Sequence, residues 1–400
     1  MTPRALAASA ITVVAALALT GCVAKADLAA AIPVAITDDA CGVEVATAEA
    51  GALTFRLTNS GSEVNEFEVL ADDKLRIVGE KENVAPGQTV DFTAHLEPGT
   101  YYTACKFQQV GAPVGLAEFT VTGEAGALSE DRQVLADQAV TEYLAYVRSQ
   151  AAELLPAVEE FAAAYAAGDD EAARSLYATT RIPYERIEPT AEAFGDLDPQ
   201  IDFREVDAVA DGLEWTGFHR IEKDLWPPAA GDLNSDGRDA SADWAPSTPE
   251  ERRAFADQLV ADVAELHDLV TAEDFSVSLD AISNGAIALL DEVAAGKITG
   301  EEDWWSGTDL SDFAANVQGA GVAFGAVRAL AETTDAGAEL AAGIDARFDD
   351  LEAALATYGS LDDGFVDYAT LTDAQKKGLS DAVNALAEPL SQLTATVLGA

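Results

Sequence analysis

The segment Thr216-Gly217-Phe218-His219-Arg220-Ile221-Glu222-Lys223 sets one of the chain's three histidines three residues before a glutamate. It reads as helix, where positions i and i+3 lie on one face. An imidazole nitrogen and a carboxylate oxygen can then point at a common metal ion. Trp215, Phe218, Ile221, Leu225 and Trp226 surround the pair and imply burial. An isolated buried charge costs on the order of several kcal/mol, so the pair needs a partner. That partner is a metal, the other member of the pair, or a backbone group.

Other acids could complete the half-site. Glu185 and Glu188 share a helical face in Tyr184-Glu185-Arg186-Ile187-Glu188-Pro189. Asp202 closes the loop Asp198-Pro199-Gln200-Ile201-Asp202, and Glu292 sits on a later helix. Oxygen ligands with one imidazole suit iron, manganese or zinc. Asp232, Asn234, Asp236 and Asp243 fit positions 1, 3, 5 and 12 of an EF-hand loop, with Gly237 at position 6. Position 12 is Asp where the standard loop has a bidentate Glu, and Pro-Pro-Ala-Ala-Gly forbids a normal entering helix; the reading is a weak calcium site or an acidic surface loop. His267, between acids on a helix, reads as a solvated histidine.

The chain has 400 residues, 71 Asp and Glu against 23 Lys and Arg, and a net charge of −48. Such charge repels phosphates and argues against nucleic acid or anionic lipid as partner. It suits attraction of cations, but most single carboxylates in so acidic a chain read as solvated surface. Arg4, the small apolar stretch 5–19 and Leu19-Thr20-Gly21-Cys22 form a secretory leader with a lipobox. The expectation is cleavage after residue 21, a lipid on Cys22, and an extracytoplasmic protein held to the bacterial membrane by that lipid alone. Cys41 and Cys105 remain. Outside the cytoplasm they favour a disulfide; the alternative makes them thiolate ligands, with Glu66 or Glu68 completing a metal site. Glu66 and Glu68 share one face of a strand, which also reads as the solvated face of an edge strand.

The elements that position these groups fall into two textures. Residues 22–122 carry alternating runs at 53–59, 66–70, 89–94, 101–105 and 117–122, with Pro-Gly turns at 86–87 and 98–99. They predict an all-β sandwich. Residues 123–133 read as a linker. From 134 to 400 the spacing becomes helical, with helices expected at 134–167, 169–194, 205–226, 250–271, 275–296, 309–334, 336–358 and 372–398. Short connections imply an all-α antiparallel bundle. Pro156, Pro183 and Pro189 are expected to kink or break their helices. Residues 227–249 form a long Pro- and Asp-rich loop.

The stretch Pro98 to Cys105 and the returning run Gly111 to Val121 resemble the end of a cupredoxin. A blue-copper site needs two His, a Cys and usually a Met. Within residues 22–122 no His follows Cys105, and the only Met of the chain is Met1, so that site is excluded. The segment Thr216 to Lys223 resembles the HxxE signature of the imelysin family. The likeness extends through Arg181 to Pro189, Asp196-Leu197-Asp198, Asp291-Glu292-Val293, Lys297 to Asp303 and Thr308 to Val317. The order of leader, cupredoxin-like sandwich and imelysin-like bundle is similar to the extracytoplasmic components of EfeUOB-type iron-uptake systems. The resemblance implies iron, ferric or ferrous, held by His219 and Glu222 with Glu185, Asp202 and Glu292. It implies an iron-permease membrane protein and a haem-peroxidase component as partners. The β domain would bind a second metal (copper or iron), dock a partner or act as a spacer. Two other functions compete. A metallopeptidase of the zincin type needs His-Glu-x-x-His, which is absent. A tethered polysaccharide-binding or adhesion protein would use Trp215, Trp226, Trp244, Trp304 and Trp305 as stacking platforms, though their spacing reads mostly as core.

Overall fold

A computed structural model describes residues 31–107, 113–195, 197–242 and 244–399. The leader, Cys22 and Asp243 lie outside the described residues. Strands come first. Ile32–Ile36 (β1), Cys41–Val43 (β2), Gly51–Asn59 (β4) and Thr89–Leu96 (β7) form one sheet, ordered β2-β1-β4-β7. Thr47–Glu49 (β3), Asn65–Leu70 (β5), Ile77–Val84 (β6), Gly99–Phe107 (β8) and Val114–Thr122 (β9) form the other, ordered β3-β9-β8-β5-β6. Period-two alternation decides which face is inside: Ile32, Val34 and Ile36 are buried while Pro33 and Ala35 are exposed. Phe55 meets Phe67, Phe92 and Phe119 between the sheets, with ring centroids 5.3 to 6.2 Å apart.

Cys41 on β2 and Cys105 on β8 are joined as a disulfide, linking the two sheets. The thiolate-ligand reading of this pair is therefore corrected, because each sulfur is bonded to the other. The edge-strand reading of Glu66 and Glu68 is corrected too. Strand β5 lies between β8 and β6, and all six of its residues are buried.

The helices follow. Glu130–Ala167 (α1) starts inside the predicted linker and ends at Gly168, whose φ of 77° supplies the left-handed cap. Asp170–Glu185 (α2), Glu188–Glu192 (α3), Leu197–Ile201 (α4), Glu205–Asp211 (α5) and Gly217–Leu225 (α6) come next. Then come Pro249–Thr271 (α7), Leu279–Glu292 (α8), Asp309–Ala331 (α9), Asp335–Leu355 (α10), Asp373–Leu390 (α11) and Leu393–Leu398 (α12). The predicted helix 169–194 breaks where Pro189 enters the first turn of α3. The predicted helix 205–226 breaks at the left-handed Gly212. Pro156 does not break α1, which runs on for 38 residues. Leu154, Val158 and Phe161 are fully buried on either side of it, and their packing outweighs one lost backbone bond.

Helix α1 packs against α2, α7 and α9 to form the larger core. The sandwich sits on α8 within the same compact unit, residues 31–400. Asp280 accepts the His95 backbone N–H at 2.7 Å, Asn284 donates to the Thr93 carbonyl at 3.0 Å, and Lys81 pairs with Asp291. Among the described residues no helix is long and apolar enough to cross a membrane.

Candidate metal centre

His219 and Glu222 lie on α6, only 2% and 1% exposed. The helix opens at Gly217 with φ of 79°, pressed against the end of α4; a Cβ there would fall 2.1 Å from the Ile201 carbonyl oxygen. Only glycine accepts both that conformation and that approach. The contact brings α6 alongside Asp202, which directly follows α4. The third contributor is the turn before α9, carrying Glu302 and Asp303.

The imidazole has carboxylates on both edges. Nδ1 lies 3.3 Å from Glu222 Oε2, 3.4 Å from the Tyr177 hydroxyl and 3.9 Å from Asp303 Oδ1. Nε2 lies 3.5 Å from Asp202 Oδ1 and 3.4 Å from Glu302 Oε1, yet has no hydrogen-bond partner. His219, Asp202 and Glu302 form one group whose ligand atoms all lie within 4.8 Å of each other; His219, Glu222 and Asp303 form another. The second oxygen of Glu222 accepts the backbone N–H of Trp305 at 3.0 Å and of Ser306 at 2.7 Å. These bonds aim the remaining oxygen at the imidazole.

Two buried cations balance the acids. Tyr177, Arg181 and Glu185 recur every fourth residue on α2 and so share its inner face. The Arg181 guanidinium is fully buried. It donates to Glu185 at 2.5 Å, Asp312 at 2.9 Å, Glu302 at 3.3 Å, and Asp202. Lys297, also fully buried, is 3.1 Å from Glu185 and 3.2 Å from Glu188. It is delivered by a π-helical turn, Val293–Lys297, that extends α8. Asn316 on α9 donates to Glu188 at 3.0 Å.

The charge states follow from these contacts. Burial and Arg181 disfavour the imidazolium, but Glu222, Glu302 and Asp202 around the ring prevail and raise His219 to about 10. Burial also opposes ionisation of Glu302, but Lys297 and His219 hold it well below the usual carboxylate range. Burial pushes Glu185 up to about 7 despite Lys297 and Arg181. The metal-free site thus holds a protonated imidazole, and an incoming ion must displace that proton.

Of the predicted ligands, His219, Glu222 and Asp202 meet here. Glu185 stands behind them against Arg181, Lys297 and the Asn316 amide. Glu292 does not join the group. Lys297 lies 3.8 Å from both Glu292 and Glu302, and Glu292 instead gathers with Glu82 and Glu192. Glu302 and Asp303 were missed, although Gly300-Glu301-Glu302-Asp303 is an acidic turn just before a helix start. Nothing in their spacing from residue 219 reveals that they close on it.

The long loop after α6 leans over the site. The Trp304 indole donates to the Leu233 carbonyl at 2.9 Å, and Lys223 reaches the Asn234 amide oxygen at 3.3 Å. The EF-hand-like residues have other partners: Asp232 accepts the Ala229 N–H at 2.6 Å and Asp236 pairs with Arg238. Among the described residues they form no group of three metal-ligating side chains of the His, Cys, Asp and Glu types. His267 is half-buried beside Asp268 at 3.4 Å. Trp215 donates to the Phe203 carbonyl at 2.8 Å, and Trp226 packs edge-on against Tyr177 at the edge of the core.

Comparison with known proteins fits this architecture. Residues 139–393 match the Imelysin family, and residues 9–115 match the Cupredoxin-like domain. An Escherichia coli protein named iron uptake system component EfeO is 39% identical over 366 residues, covering 90% of both chains. The protein of the same name from Shigella flexneri is 38% identical over the same length and coverage.

Proposed function

The chain belongs to the imelysin family and is EfeO-like, with a cupredoxin-like domain ahead of the helices, and from that premise we propose that it captures iron at the His219 centre for uptake. The observation that carries the reading is the His219 Nε2, buried, without a hydrogen-bond partner and facing Asp202 and Glu302 at 3.5 and 3.4 Å. A nitrogen donor with up to four carboxylates around it suits iron better than a purely hard or purely soft ion. Iron is cargo here. Glu222, fixed by two backbone N–H groups, positions the imidazole, and Tyr177 donates to Asp303 at 3.0 Å and orients it.

The lipobox at Cys22 supports tethering outside the cytoplasmic membrane, and the EfeO-like order supports hand-over to an iron permease, with a haem peroxidase in the same system. The metallopeptidase reading gains nothing from the site, because among the described residues no second histidine joins His219 in a metal-ligating group. The test is ferric-iron loading of the leader-free protein by equilibrium dialysis. Wild type binds iron at this centre, and His219→Ala/Glu222→Ala loses that equivalent. Equal loading of both proteins would sink the assignment.

A further inference from the structure

A second set of acids lies in the seam between the sandwich and the helices. Glu82 comes from β6, Glu192 ends α3 and Glu292 ends α8. One oxygen of each lies within 4.8 Å of the others. They line a cavity of about 280 Å³ that reaches Asp202 and Glu302. Glu82 is only 8% exposed, and its Oε2 has no hydrogen-bond partner; neither has Glu192 Oε2.

The nearby basic side chains make their closest contacts with other acids. Lys81 pairs with Asp291, Lys106 lies 3.3 Å from Glu68, and Arg204 grips Asp207 at 2.7 and 3.1 Å, while its Nη1 is 3.7 Å from Glu301 and its charge also reaches Glu292. Lys297 is 3.8 Å from Glu292 but closer to Glu185 and Glu188. Among the described residues no Lys, Arg or His forms an ion pair with Glu82 or Glu192. The groups acting on the Glu82 charge, after burial itself, are four more carboxylates: Glu292, Glu192, Glu66 and Glu80. A buried carboxylate oxygen lacking a donor or a cation is expensive to keep charged. A positive ion would satisfy all three carboxylates at once.

We propose that Glu82, Glu192 and Glu292 form a second cation site, for a hard divalent ion, which joins the sandwich to the helical bundle. The donor set is all oxygen, with no imidazole or thiolate, which selects ions of the calcium, magnesium and manganese class. Two of the ligands sit on the helical side and one on the sandwich, so the ion bridges the seam. This assignment rests on the seam residues alone and stands apart from the iron reading.

Manganese(II) is the probe, with binding followed by equilibrium dialysis and electron paramagnetic resonance. The protein is the leader-free His219→Ala/Glu222→Ala variant, which removes the first centre from the count. It binds one saturable equivalent of manganese, displaced by calcium, and its melting temperature rises on loading. Adding Glu82→Gln/Glu192→Gln abolishes both the equivalent and the thermal shift. These substitutions keep shape and remove repulsion, so the metal-free variant melts at or above its parent. Absence of a saturable equivalent before the Gln changes overturns the seam site and leaves the iron assignment untouched. Retention of the equivalent after them overturns it equally.

Discussion

Arg181 is the residue on which the metal-free centre turns. Its guanidinium reaches Glu185, Asp202, Glu302 and Asp312 from a fully buried position, with Asp303 at 3.8 Å. A planar fork with five donors satisfies several acids that no lysine could serve together. Replacing it with the similarly sized Met leaves those carboxylates facing each other without a counter-charge. Removing one partner of a buried pair costs about 3–5 kcal/mol. Arg181→Met is therefore expected to lose at least about 3 kcal/mol of metal-free stability in urea titration. Part of that loss should return on metal loading, which makes the metal-induced stabilisation larger than in wild type. A variant as stable as wild type without metal would contradict the balancing role.

At the scale of elements, the HxxE helix is placed by a glycine. The left-handed Gly217 lets α6 start against the Ile201 carbonyl. Gly217→Ala meets both an unfavourable φ and a backbone clash, so it should cost more than about 1 kcal/mol and weaken iron loading together with stability. Thermal melts and dialysis check this; unchanged loading would show that α6 is positioned otherwise. The same helix shows what was legible in the sequence. Local signals carried well: alternation marked β4, β5, β7, β8 and β9, Gly168 and Asp169 marked the end of α1, and 250–271 matched α7 within one residue. Spacing within one helix joined His219 to Glu222. Partners brought by tertiary closure were not legible. Glu302 and Asp303 arrive from about 80 residues away along the chain, and their contact with His219 depends on the π turn and on α9. Glu292 misled for the complementary reason, because proximity in sequence to a site segment does not fix which way the last turn of a helix points.

Across the whole molecule, buried acids give stability a common pH direction. Burial and neighbouring carboxylates raise Asp198 to about 7, and burial outweighs Lys106 to raise Glu66 to about 8. Each binds its proton more tightly when folded, so its stabilisation is complete below the ordinary carboxylate range and disappears as pH rises through those values. His219, raised to about 10, has the same sign: its contribution is complete below about 6.5 and is lost as pH climbs through 10. Glu302 has the opposite sign, but its transition lies below the ordinary carboxylate range. The metal-free protein should thus show a falling urea midpoint from about pH 5.5 to about pH 8.5. A flat or rising midpoint would refute this ordering of charges. The captive cations have one more consequence, which concerns emptiness. Under the proposed capture of iron, the centre must also stand without metal, and bare carboxylates alone would repel one another. Arg181 and Lys297 are fully buried among the same acids, so the neutralising charge belongs to the protein itself and not only to a metal.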